Sequence, residues 1–321
     1  MPVFNTSLSA NDILFTDGTR QSSAANPVLR NRVINGTMRV AQRGPVPIVL
    51  NTLTFGGCDR FPITATGFTT VSGTLRQATG TNLYVQEAQV VSTGSGTLTF
   101  HHRIEAINVV DIFTCYVYAQ FEIYQDTGSP ITITYNLTSP SVKDNWTTWG
   151  GWNGSSGNDN TTVIPSGVRT KVGREFAIDI DPIAKEAERG LGLAIYIPFG
   201  AVTNKYFQIS NVQIEKGQYP TELEYIPLTV EQMRCQRYYD RITVSDRNYA
   251  TGTSGVGGPV KWRQPMRVAP TATITAGTRT NAGTVVLNNI TPYGANHFVP
   301  SLATGICGAQ LDIIQLNAEL L

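Results

Sequence analysis

Charge is scarce in this chain, histidine scarcer, and long apolar runs are absent; each shortage closes off a class of function. Only 15% of its 321 residues are charged, below the ~25% usual in soluble domains. The 24 basic and 23 acidic residues nearly cancel, for a net charge of +1. No strong field of one sign exists and no basic cluster interleaves with aromatics, so nucleic acid is not expected as a partner. No stretch approaches the ~18 apolar residues of a membrane helix, and membrane insertion is not expected. The N-terminus, Met1-Pro-Val-Phe-Asn-Thr-Ser, lacks the basic-then-apolar order of a secretion signal, which suggests synthesis in a cytoplasm. Cys58, Cys115, Cys235 and Cys307 stand far apart with no CxxC pair. That argues against zinc and for small buried side chains in a reducing compartment.

Catalytic motifs are missing too. The three histidines are His101, His102 and His297, and neither a Gly-x-Ser-x-Gly elbow nor a His-Glu-x-x-His pair occurs. Glycoside hydrolysis needs two facing carboxylates, and no motif joins Asp144, Asp159, Asp179 and Asp181. Asp179-Ile-Asp181 places two carboxylates on one strand face, either as surface polarity or as a calcium-ligand pair. No catalytic residue and no cofactor is expected. Asp59 and Arg60 read as a partly buried pair that braces strands.

What is present is β pattern. Glycine (30 residues), threonine, serine and asparagine fill the space that charge leaves. In Cys115-Tyr-Val-Tyr-Ala-Gln-Phe-Glu-Ile-Tyr124 the alternation is clean. Cys115, Val117, Ala119, Phe121 and Ile123 share a core face; Tyr116, Tyr118, Gln120, Glu122 and Tyr124 share the other. Phe176, Ile178 and Ile180 alternate likewise, as do Leu191, Leu193, Ile195 and Ile197. Many short strands between turn residues predict an all-β chain built on a sandwich or jelly roll. Along 207–214 the phase breaks: Phe207 and Ile209 are odd, Val212 and Ile214 even. A bulge near Ser210-Asn211 would return both pairs to one core. Thr229-Val-Glu-Gln232 matches a capping box and predicts a short helix from Thr229 to about Tyr239. Residues 1–30 read as a polar N-terminal arm or attachment segment. Short strands are expected at 271–275, 284–287 and 310–316. They would make a small C-terminal β domain at 241–321, whose size favours oligomerisation.

Two places could meet a ligand. Trp146, Trp149 and Trp152 put three of the four tryptophans within seven residues, ahead of the polar run Asn153-Gly-Ser-Ser-Gly-Asn-Asp-Asn160. Flat rings with N–H handles suit the C–H faces and hydroxyls of sugars. The same residues could instead cap the sandwich or pack on a neighbouring subunit. Their spacing between glycines suggests a loop. The second place is the tyrosine face, Tyr116, Tyr118 and Tyr124, as a ligand platform or as a surface covered by another chain.

Four segments resemble the tail fibres, spikes and other virion appendage proteins of tailed phages. They are Asn31-Arg-Val-Ile-Asn-Gly-Thr-Met-Arg-Val-Ala-Gln-Arg-Gly44, similar to an opening strand; Cys58-Asp-Arg-Phe61; Arg103-Ile-Glu105 followed by 113–123, similar to a central strand pair; and Ile209-Ser-Asn-Val-Gln-Ile-Glu-Lys-Gly217 running through Thr221-Glu-Leu-Glu-Tyr225 to Cys235-Gln-Arg-Tyr-Tyr239. Pro265-Met-Arg-Val-Ala-Pro270 is a looser match to a terminal domain that follows in such fibres. The resemblance implies a carbohydrate-binding-module-like jelly roll over 31–240, a short helix, and a trimerising C-terminal β domain. It also implies a virion location, a homotrimer, other virion proteins as partners, and attachment to host cell-surface polysaccharide without enzymatic activity. An assembly, head-fibre or decoration role, and polysaccharide depolymerisation, stay open beside it. The tryptophan cluster is a departure from that family.

Overall fold

The computed structural model describes residues 13–14, 20–21, 30–80, 83–112, 115–151, 160–177, 186–252 and 254–320. Alternation in the strands builds two facing six-stranded antiparallel sheets. One runs, in spatial order, Asn145–Gly151, Ile131–Val142, Leu191–Phe199, Gly96–Ile104 and Ile63–Thr66, with Thr161–Ile164 also paired to Ile131–Val142. The other runs Thr170–Ala177, Tyr116–Gln125, Val202–Lys216, Leu83–Thr93, Thr70–Gly80 and Val46–Pro47. Phe100, Ile133, Leu193 and Ile195 from the first sheet meet Val90, Val117, Phe121, Ile123, Phe207 and Ile214 from the second in one core. The Tyr135 ring meets Phe121 edge-on across the layer at 5.2 Å. Burial of each such side chain stabilises by about 1.5–3 kcal/mol. The chain is thus an all-β jelly-roll sandwich followed by smaller sheets, with one short helix between them.

The bulge lies where the phase break put it. Ser210 pairs with Glu122 but Gln213 pairs with Gln120, so three steps on one strand oppose two on its neighbour. Asn211 takes a left-handed φ of 50° at the extra residue, a conformation asparagine tolerates. Phe207, Ile209, Val212 and Ile214 all reach the core.

The bulge's displaced backbone groups need partners, and the 31–36 segment supplies them. Asn31 Nδ2 donates to Val212 O at 3.1 Å, and Asn31 Oδ1 accepts Ile214 N–H at 3.1 Å. Gly36 O accepts Val212 N–H at 2.9 Å. A Cβ on Gly36 would stand 2.1 Å from Val212 O, so only glycine fits this approach. Residues 31–44 are therefore not the opening strand that the resemblance implied. They hold a turn at 34–37, with Asn35 and Met38 at φ 61° and 58°; 31–36 closes the bulge, while Val40 O and Gly44 O accept Asp59 N–H and Gly57 N–H. The implied central strand pair is also corrected: Gly96–Ile104 and Tyr116–Gln125 lie in opposite sheets.

The helix spans Leu228–Gln236, with Pro227 rather than Thr229 at its N-cap and no side-chain cap bond. Pro227 O accepts Val230 N–H at 3.0 Å and Glu231 N–H at 3.1 Å, and the Glu231 carboxylate is taken by Asn35 N–H and Arg234. The capping box is absent because the helix starts at Leu228, which leaves Thr229 inside the first turn rather than at the cap. The helix ends three residues short of the expected Tyr239, where the strand Tyr239–Ala250 begins instead.

Beyond the helix, Tyr239–Ala250, Gly305–Asn317 and Thr271–Thr275, with Thr278–Thr280, form a four-stranded sheet. Val256–Lys261, Gly294–Val299 and Val286–Thr291 form a three-stranded one. Ile242, Trp262, Met266, Ile314 and Leu316 make their core. The tail returns to the sandwich: Ala318 N–H donates to Tyr238 O at 2.8 Å, and Leu320 packs with Ile34, Val40, Trp146, Cys235 and Tyr238. Glu319 is buried against Arg60 and Arg43, the latter at 3.1 Å. Asp59 and Arg60 are fully buried, not partly, and do not pair with each other. Asp59 accepts from Gln42 Nε2 at 2.6 Å, while Arg60 lies 3.7 Å over the Tyr238 ring.

Candidate functional site

The Tyr116–Gln125 strand turns its tyrosine face away from the core, and this outer face divides into two halves. Toward Tyr118 it is closed by the chain itself. Gln120 Nε2 donates to Thr221 O at 2.9 Å, Glu215 accepts Thr221 N–H at 2.9 Å and its hydroxyl at 2.6 Å, and Gln213 Oε1 accepts Glu224 N–H at 2.8 Å. The Thr221-Glu-Leu-Glu-Tyr225 segment is thus a cover. Burial, then Glu175 and Glu215, push the Tyr118 hydroxyl pKa above its ordinary value. Tyr116 stays 39% exposed beyond the covered part.

Toward Tyr124 the face is open. Register places Tyr124 beside Gln208, Gln208 beside Glu87, and Glu87 beside Arg76, a row across four strands. Arg76 Nε donates to Glu87 Oε1 at 2.7 Å and Gln208 Nε2 donates to Glu87 Oε2 at 2.6 Å. Arg169 donates to Gln208 Oε1 and, at 3.2 Å, to Ser210 Oγ. Its guanidinium lies 5.8 Å from the centre of the Tyr124 ring. Burial lowers the pKa of Arg169 from its ordinary value, opposed by Glu122 and Tyr124. A cleft of about 610 Å³ stands over this row, with Tyr124 and Tyr206 among its walls. Each polar group is held by a neighbour, so the row presents donors and acceptors in fixed positions beside two flat rings. That arrangement can bind a ligand with hydroxyl edges and C–H faces at low ordering cost.

The tryptophans do something else. Trp146 and Trp149 lie on the strand Asn145–Gly151, not in a loop; its register shifts between Asn145 and Trp149. Trp146 is 3% exposed and packs with Ile34, Cys235, Tyr238 and Leu320. A Cβ on Gly192 would stand 2.7 Å from its ring. This ring is core and is not offered to a ligand, which corrects the sugar-contact reading for Trp146. Trp149 is half-buried on the same cluster and meets the His101 ring edge-on at 5.5 Å. Trp152, Asp179 and Asp181 lie outside the described residues, and among the described residues no group of three metal-ligating side chains is placed to hold an ion.

His101 and His102 are interior. Burial first, then Arg103, brings the pKa of His101 down to about 3. His102 donates from Nδ1 to Arg60 O at 3.2 Å and accepts Ile34 N–H on Nε2 at 3.3 Å, a pattern that requires the neutral ring. Of the tyrosines expected to form a platform, Tyr124 lines the open cleft. Arg76, Glu87, Arg169, Tyr206 and Gln208 were not expected there. The outward parity of Tyr206 and Gln208 was readable before the bulge. Arg169 precedes its strand, where periodicity carries no signal.

No family model matches the chain, and no curated protein matches it. Among solved structures, it is similar to a structure described as "CBM4 structure and function", at 12% identity over 58% of this chain and 99% of that one, with a TM-score of 0.31. It is also similar to a family 11 carbohydrate-binding module from Clostridium thermocellum in complex with a β-1,3-1,4-mixed-linked tetrasaccharide, at 12% identity over 56% and 100%, TM-score 0.33. A third is the enzymatically active domain of bacteriophage CBA120 tailspike protein 4, at 13% identity, where the match spans 59% of this chain but 22% of that one, TM-score 0.31.

Proposed function

We propose that the protein binds an oligosaccharide in the cleft between Tyr124 and Tyr206 and serves attachment rather than catalysis. The carrying observation is the row Arg76–Glu87–Gln208, pre-bonded across three strands, joined by Arg169 just ahead of a fourth and set beside two tyrosine rings. Sugars meet such sites with ring faces on aromatics and hydroxyls on fixed planar groups. The sequence segments at 31–44, 58–61, 103–123 and 209–239 support a finer reading. In it, the chain is a structural protein of a phage virion appendage, a homotrimeric fibre or spike with 1–30 as its arm, made in the host cytoplasm and directed at host-surface polysaccharide. Three tethered copies would make weak sites useful by effective concentration.

The test is a glycan array read with wild type, Tyr124→Ala and Tyr206→Ala. Wild-type signals should fall about tenfold or more in each variant, a loss of about 1.4 kcal/mol or more. A folded protein that binds no glycan, or binds equally in all three forms, contradicts the proposal. An assembly role is the second reading, favoured by exposed side chains of the C-terminal part, Tyr293 and Leu302 between strands and Leu311 on one. Imaging of the particle separates the two, by whether the sandwich is distal or buried between other proteins.

A further inference from the structure

The C-terminal sheets hold a second cleft, of about 670 Å³, between the edge strands Tyr239–Ala250 and Val256–Lys261. It is built around a fixed carboxylate. His297 Nδ1 donates to the Asp246 carboxylate, and His297 Nε2 stands 3.6 Å from Asp312 Oδ2, beyond hydrogen-bond reach. Asp312 is held in turn by Gly277 N–H at 2.9 Å and by Arg279. His297 and Asp312 are essentially fully buried, whereas the Asp246 side chain is 32% exposed. Taking ionisable groups out of water is unfavourable, and apolar side chains of the same volume would fill this space without that cost. What the buried His297 does accomplish, through its Nδ1 bond to Asp246, is to fix one carboxylate at the lip of a cleft.

The rest of the lining is chemically consistent. Asn248, Asn288 and Asn296 bring amides, each both donor and acceptor. Tyr249, 62% exposed, brings a flat ring. Gly258 leaves the wall open: a Cβ built there meets nothing within 4 Å. We infer that this cleft is a second ligand site, for a neutral sugar unit, with hydroxyls on Asp246 and the asparagine amides and a C–H face on Tyr249. A neutral ligand fits because the lining carries one carboxylate, Asp246, and one arginine, Arg247, whose charges balance. The site is separate from the Tyr124 cleft and does not rest on it.

The experiment uses the full chain on an array of neutral oligosaccharides ending in glucose, galactose, mannose or N-acetylhexosamine. Four forms are compared: wild type, Tyr124→Ala, Tyr249→Ala and Gly258→Gln. Gly258→Gln projects a side chain into open space, so it blocks the cleft while the fold stays intact, as circular dichroism will check. The expected result is a set of signals that survives Tyr124→Ala and falls at least tenfold in both Tyr249→Ala and Gly258→Gln. No neutral-sugar signal in wild type, or signals indifferent to Gly258→Gln, overturns the inference. Signals lost in Tyr124→Ala alone overturn it while supporting the first cleft; signals lost in both Tyr249→Ala and Gly258→Gln but kept in Tyr124→Ala do the reverse.

Discussion

Acidification from pH 7 to pH 5 is expected to weaken the sandwich through His101. This residue sits on the Gly96–Ile104 strand with its Nε2 2.9 Å from Thr64 Oγ1 and its ring against Trp149. Burial, reinforced by Arg103, holds its pKa at about 3, against ~6.5 for an unfolded chain. A depressed histidine is neutral in the fold, while the unfolded chain takes up a proton below its own pKa. The stability is therefore complete above about pH 6.5 and is lost progressively as pH falls toward 3. At pH 5 the gap from 6.5 is about 1.5 units, worth about 2 kcal/mol at ~1.36 kcal/mol per unit. His102, also held well below its ordinary value by burial and then Arg60, acts in the same direction. Asp59, Glu231 and Asp240 are shifted upward by burial and oppose the loss. The comparison of wild type with His101→Gln removes these common contributions. Urea unfolding at pH 7 and pH 5, followed by tryptophan fluorescence, should show wild type losing about 2 kcal/mol more than the variant. Equal losses would refute the assignment of a buried neutral His101.

Three further outcomes follow from the interior. Glu319→Ala leaves Arg60 buried without its carboxylate, and thermal unfolding should report a cost of about 3–5 kcal/mol; an unchanged melting temperature would contradict the buried pair. Gly36→Ala drives a methyl into Val212 O and should destabilise by about 2 kcal/mol or more in denaturant titration; a neutral result would mean that 31–36 does not seal the bulge. The Cys58 and Cys235 thiols, both pushed up by burial, should resist a thiol-reactive dye in the native state and react in urea, and prompt native labelling of either would refute their burial.

The sandwich was legible because its strands carry period two over long stretches, and a break in that period located the bulge to within a residue. The 31–44 segment was not legible, because its shape is set by distant backbone groups: Val212 and Ile214 dictate what Asn31 and Gly36 do. The same holds for the helix start, where Asn35 claims Glu231. For the site, outward parity of the tyrosines was visible in the sequence. Which half of the face stays open was not, since that depends on where Thr221 lands. For Trp146 sugar contact and packing both stayed open, because aromatic clustering looks alike on a surface and in a core; the space left by Gly192 and the return of Leu320 decide for packing.

The central claim is that ligand binds on the outer face of the second sheet, at Tyr124 and Tyr206. Its most direct test is residue-resolved NMR of the labelled full chain, titrated with an oligosaccharide retained on the array. The account predicts shift changes centred on Arg76, Glu87, Arg169 and Gln208 that disappear in Tyr124→Ala. Saturable changes confined to other surfaces, with this row unmoved, would contradict it.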